Sequence, residues 1–243
     1  MRRTAARRGI DRPNQPTINV KVRARWTIPL TAGLAITLAA CGGPSTPPEP
    51  DSPAAYNNRG NVWLGKKEYE KANGDFNEAI RLDPGSVWPR LGKALVGLST
   101  GREEAVADAR LAIEAAGWKD ENSIYATIVG HLGARRVKKD DVAKEVLDEA
   151  DRKADKSHWP YPVVKYLRRE IDEKALLALA TDDDKMTEAR CYLGIDQMLS
   201  GRPAEARENF LWVKEHGTPG YVEVPLAVAE LDRLETEKPA GGK

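Results

Sequence analysis

Seven spaced residues between Ala54 and Pro84 restrict this chain more than its bulk composition does. Tyr56, Gly60, Trp63, Tyr69, Ala72, Phe76 and Ala79 recur at helical intervals in the order large, small, large, aromatic, small, aromatic, small. Apolar residues three and four apart share one helix face. Gly60 and Ala72 let two helices approach, and Trp63 and Phe76 fill the gaps beside them. Pro84 ends the second helix, because it lacks an N–H and its ring clashes with the preceding turn. The segment therefore reads as a helical hairpin. Beyond residue 53 the alternating β-branched runs of a strand protein are lacking. A hairpin this small cannot bury its apolar face alone, so further copies are expected to stack on it.

Residues 54–84 resemble a tetratricopeptide repeat (TPR) at all these positions and at Pro84. A looser copy over about 87–118 places Ala94 at the small position, Gly101-Arg102 in the turn, and Ala105, Ala109, Ala112 and Ile113 along the second helix. A third begins near Asn122, read as an N-cap, with Tyr125, Gly130 and Gly133 on its first helix and Val142 to Ala154 on its second. The pattern then breaks at Trp159-Pro160-Tyr161-Pro162, and short helices over 163–168 and 172–180 do not match it. The last copy returns over 187–213, with Leu193, Gly194, Ala206 and Phe210 at the first repeat's positions. Tyr221–Leu234 reads as a final amphipathic helix with Pro225 in its first turn. The expected fold is an all-α TPR helical-hairpin solenoid over residues 53–236. It has about four hairpins, one of them degenerate, plus a C-terminal capping helix. Residues 237–243 are expected to be a disordered tail.

The formal net charge of +1 conceals two opposed parts. Of 38 basic and 37 acidic residues, eight and one fall in residues 1–25, leaving 30 and 36 in the rest. Such an acidic body is a poor match for a polyanion, so nucleic acid is not an expected partner. Residues 26–41 carry no charge. Trp26–Ala40 as a helix spans roughly 22 Å, short of the roughly 30 Å hydrocarbon core. A basic head, a short apolar run and small residues at its end make a signal peptide. Leu38-Ala39-Ala40-Cys41-Gly42 resembles the bacterial lipobox, where a lipoprotein signal peptidase cuts before an acylated cysteine. That resemblance implies removal of residues 1–40 and lipidation of Cys41 with thioether-linked and palmitate-type acyl chains. Two or more such chains hold a protein stably on a membrane. Gly42, in place of the aspartate that retains lipoproteins at the inner membrane in enteric bacteria, implies the periplasmic face of an outer membrane. Val20 and Val22 stand as alternative translation starts. Residues 42–52 contain four prolines and read as an extended tether of up to about 34 Å.

The segment 125–234 resembles a family of bacterial TPR lipoproteins related to NlpI. Trp159-Pro160, Thr187–Gly194, Ala206–Phe210 and Glu230-Leu231 carry the likeness. The resemblance implies a non-catalytic scaffold or adaptor that holds other envelope proteins, such as peptidoglycan hydrolases or proteases. A self-associating structural lipoprotein is the main alternative, and an enzyme of unrecognised type the third.

No phosphate loop, dinucleotide fingerprint, nucleophile elbow or H-E-x-x-H zinc motif occurs. His131, His158 and His216 are scattered, and neither a metal nor a cofactor is expected. Asp182-Asp183-Asp184 lacks EF-hand spacing and reads as a solvated loop between helices. With Cys41 acylated, Cys191 has no disulfide partner and is expected to be a buried structural thiol. The stack is expected to have a concave side, lined by Asn57, Asn61 and Leu64 in the first repeat and by Trp88, Leu91, Leu95 and Leu98 in the second. Asn57 and Gly92 stand where a carboxylate clamp wants Lys and Asn. The three leucines instead offer a greasy groove for a peptide or helix, or simply pack on their neighbours.

Overall fold

The computed structural model describes residues 50–236, which form eleven α-helices and no strand among the described residues. They are α1 (Pro53–Gly65), α2 (Tyr69–Leu82), α3 (Trp88–Thr100), α4 (Glu104–Ala116), α5 (Asn122–Arg136) and α6 (Asp140–Lys153). Then come α7 (Tyr161–Leu167), α8 (Glu173–Leu179), α9 (Asp183–Leu199), α10 (Pro203–His216) and α11 (Glu223–Thr236). The expected signal peptide, the lipobox-like segment, most of the expected tether and the expected C-terminal tail lie outside the described residues.

Ser52 caps α1 by accepting from the Ala55 N–H at 3.3 Å, with Pro53 pre-setting the first turn. Phe76 of α2 then sets how closely three helices pack. A Cβ on Gly60 of α1 would lie 2.6 Å from its ring, and one on Gly92 of α3 would lie 2.5 Å from it. One aromatic side chain thus wedges between the first helices of two successive hairpins, and only glycine fits opposite. Phe210 of α10 repeats the device against Gly194 of α9 at 2.6 Å. Ala72, Phe76, Ala79, Ala206 and Phe210 are wholly buried and Leu193 nearly so, whereas Tyr56, Trp63 and Tyr69 are half-buried. Helix α2 ends at Leu82, two residues before Pro84.

One local motif recurs at every hairpin. The turns between α1 and α2, α3 and α4, α5 and α6, α7 and α8, and α9 and α10 each hold one left-handed residue. These are Lys67, Gly101, Lys138, Arg169 and Gly201, with φ between 60° and 75°. In each, the next residue's N–H reaches back five residues, from Glu68, Arg102, Lys139, Glu170 and Arg202, always at 2.9 Å. This pairing satisfies the carbonyls that a helix end leaves open. The short helices α7 and α8 therefore form a truncated fourth hairpin, one of five, and not a break in the repeat pattern. L-residues resist this conformation by roughly 1–2 kcal/mol, a cost glycine escapes. Lys138→Gly is accordingly expected to raise the unfolding free energy by about 1 kcal/mol, read from a shifted denaturant midpoint at constant slope. A decrease would show that the Lys138 side chain contributes more than its backbone costs.

The first helices α1, α3, α5 and α9 lie side by side, and the second helices α2, α4, α6 and α10 pack on their chain neighbours. Helix α5 is central, buried from Asn122 through Ala134. Asn122 is its first helical residue and not its cap; its N–H donates at 2.8 Å to the Asp120 carboxylate, which closes the preceding turn. Helix α11 departs from the expected end-cap. It packs on α9 and α10 and also reaches back against α1 and α3, so the stack curls into a closed ring.

Candidate functional site: the inner face and its buried polar centre

The residues expected to line an open concave groove do not line one. Leu91, Leu95 and Leu98 are at most 2% exposed and belong to the main core. Leu64, Leu95 and Ser99 face Val222, Pro225, Leu226 and Ala229 of the α11 region across a crevice of about 10 Å³. At Leu64 and Leu95 the expected groove is thus covered by the chain's own last helix. Asn57, Asn61, Leu64 and Trp88 are half-buried, and the Asn57 Oδ1 is buried without a partner. The sequence pattern puts the three leucines on one face of α3. It gave no signal that α11 would cover them.

Polar contacts fasten α11 in place. Lys67 pairs with Asp232, and the Arg233 guanidinium donates to the Ser99 carbonyl. Arg136, at the end of α5, lies 2.9 Å from the wholly buried carboxylate of Glu230. The angles there miss a hydrogen bond, so the attraction is Coulombic. At the other end, Tyr192 donates to Glu223 Oε1 at 2.6 Å, and the Cys191 thiol donates to the Glu223 carbonyl at 3.5 Å. Burial pushes the Cys191 thiol well up, with the Glu223 charge adding to the effect. Cys191 is wholly buried, as an inert structural cysteine should be.

Two further carboxylates are buried in the ring. Glu188 of α9 accepts from the Tyr125 hydroxyl at 3.0 Å and from the Trp159 indole N–H at 2.5 Å. Burial, reinforced by the charge of Glu223, raises the Glu188 carboxyl well above the ordinary range. Burial likewise raises Glu223, whose Oε2 has no partner. Asp196 of α9 behaves oppositely. Arg169 grips it through two N–H groups at 2.8 and 2.9 Å, Tyr166 donates at 2.7 Å, and Arg135 adds a third cationic contact. Burial alone would raise Asp196, but the hydrogen bonds from Arg169 and Tyr166 outweigh it and hold the carboxyl below its usual value. Asp196 ties α5, the α7–α8 turn and α9 into one unit.

Residues 53–86 match the tetratricopeptide-repeat family. The matched span is α1, α2 and the turn after them, which contains the Gly60–Phe76 wedge. The domain is therefore an all-helical TPR solenoid. A helical-repeat fold of this kind ordinarily works by binding other proteins, without chemistry of its own.

The remaining candidate residues have structural roles. Asp182 is not part of a free loop: it caps α9 by accepting from the Lys185 N–H at 2.9 Å. Asp183 and Asp184 follow in the first turn, where carboxylates suit the positive end of the helix dipole. His158 lies beside Asp155, and His216 stacks on Trp212. No group of three or more metal-ligating side chains occurs among the described residues. Cys41 and the lipobox-like residues Leu38, Ala39, Ala40 and Gly42 lie outside them.

Proposed function

We propose that this protein is a lipid-tethered scaffold at the periplasmic face of the outer membrane, binding other envelope proteins without catalysing a reaction. The tetratricopeptide repeat at residues 53–86 carries the binding half of this reading. The lipobox-like Leu38–Gly42, one short Pro-rich stretch before α1, carries the anchoring half. Confinement to a surface raises the effective concentration of a bound partner there, which gives a non-catalytic domain a mechanism. Because α11 covers Leu64 and Leu95, this reading places the partner on the exposed sides of the second helices α2, α4, α6 and α10. Peptidoglycan hydrolases and proteases are the partner classes first sought. Crosslinking in intact cells, followed by identification of the captured chains, tests the scaffold. Recovery of other envelope proteins is expected. Recovery of this chain alone would replace the scaffold with a self-associating structural lipoprotein.

A further inference from the structure

A cleft of about 480 Å³ opens on the side of the ring where α5, α6 and the end of α7 meet. That volume falls within the range of small-molecule sites. Its deepest polar group is His131, on α5 and only 5% exposed. The His131 Nδ1 lies 3.0 Å from the Ala143 carbonyl. A carbonyl can only accept, so Nδ1 carries the proton and Nε2 presents a lone pair. Nε2 is buried and has no partner. His131 lines the cleft, and its Nε2 lacks a donor from the protein.

The walls define that occupant further. Ala143, Leu147 and Leu167 supply a buried apolar floor. Arg135, Arg168 and Arg169 supply donors, and Asp140 and Asp148 supply acceptors. The cations are already paired. Arg135 and Arg169 share Asp196, while Arg168 holds Asp148 and Glu170 at 2.6 Å each. Lys144 also holds Asp148 at 2.6 Å. Little net field therefore remains to draw in an ion. Each guanidinium nonetheless has five N–H groups, more than its partners use. Fixed donors and acceptors side by side over an apolar floor suit a group that both donates and accepts, namely the hydroxyl. A ligand with several hydroxyls and a C–H face meets all three surfaces at once.

We propose that this cleft is a binding site for a neutral saccharide unit, with a sugar hydroxyl donating to His131 Nε2 and ring C–H groups resting on Leu147 and Leu167. The site is separate from the inner face and does not depend on the lipid tether. Saturation-transfer NMR and calorimetry on the full chain test it, in a zwitterionic detergent free of sugar headgroups. The probes are glucose, cellobiose and diacetylchitobiose, with gluconate and acetate as charged controls. Saturable binding of at least one neutral probe at millimolar concentration or below is expected. It should weaken at least tenfold in His131→Phe. Lys144→Gln, at the exposed rim, provides a second variant that leaves the packed floor untouched, and a severalfold loss is expected there. No saturable binding up to 50 mM would overturn the site, as would affinity unchanged in both variants. Tighter binding of gluconate or acetate than of every neutral probe would overturn the assignment of a neutral ligand.

Discussion

Asp196→Ala is expected to lower the unfolding free energy by about 3 kcal/mol. The carboxylate is wholly buried, so its pairing with Arg135, Arg169 and Tyr166 takes place out of water. Removing one member of such a cluster leaves the others buried without compensation, which typically costs about 3–5 kcal/mol. The lower end applies here because the Arg169 side chain is 53% exposed and regains water once released. Asp196→Asn keeps the volume and one acceptor oxygen but not the charge, and should fall between wild type and alanine. Urea midpoints with unchanged slopes provide the measurement. A loss under about 1 kcal/mol for the alanine variant would mean that α5, the α7–α8 turn and α9 are held by apolar packing alone.

The second large effect is on pH dependence, where two opposed contributions meet. Glu188 and Glu223 have carboxyls raised above their ordinary value of 4.5. Above pH 4.5 the unfolded chain releases these protons while the folded chain keeps them. The unfolded state then binds fewer protons, and stability falls as pH rises toward the raised values. His131 works in the other direction. Burial lowers it from 6.5 to about 4, so between those values the unfolded state binds more protons. Its contribution is fully present above pH 6.5 and is lost as pH falls toward 4, by about 3 kcal/mol. The two slopes partly cancel in between, so variants must separate them. His131→Gln should flatten the acid side. Glu223→Gln keeps the shape and an acceptor for Tyr192, and should be stabilised relative to wild type at pH 8. Unfolding curves across about pH 4–8 that run parallel for all three chains would contradict the assignment.

These buried carboxylates mark the limit of what the sequence could show. Glu188, Asp196 and Glu223 lie on helices rich in charge, where Asp and Glu are normally solvent-facing. Only the tertiary arrangement brings Tyr125, Trp159, Tyr166 and Tyr192 to them from other elements. By contrast, the first and last hairpins were legible because glycine and phenylalanine recur at matching positions, Gly60 with Phe76 and Gly194 with Phe210. Their steric fit is local and leaves a strong pattern. The α7–α8 hairpin was missed because its helices have seven residues each, too few to show that pattern. Its left-handed turn residue is also Arg169 rather than glycine. The α7–α8 hairpin becomes visible only through backbone geometry.

The same contrast applies to the inner face. Spacing alone places Leu91, Leu95 and Leu98 on one side of α3, and all three are buried. Whether that side stays open depends on where α11 goes, eleven dozen residues farther along the chain. That helix reads as amphipathic and terminal, which fits an outer cap as well as an inner plug. Lys67–Asp232, Arg136–Glu230 and Arg233 with the Ser99 carbonyl decide for the plug, and each joins residues distant in sequence. A groove read from one helix's periodicity is therefore a statement about that helix, and not about what covers it.

The proposed lipid tether is the feature on which the scaffold reading depends most. Cells expressing the full chain or its Cys41→Ser variant, fed a clickable palmitate analogue and then fractionated in high salt, test it directly. The expected result is a labelled wild-type protein in the membrane pellet and an unlabelled, folded variant in the soluble fraction. A Cys41→Ser chain that still sediments with membranes in high salt would contradict it.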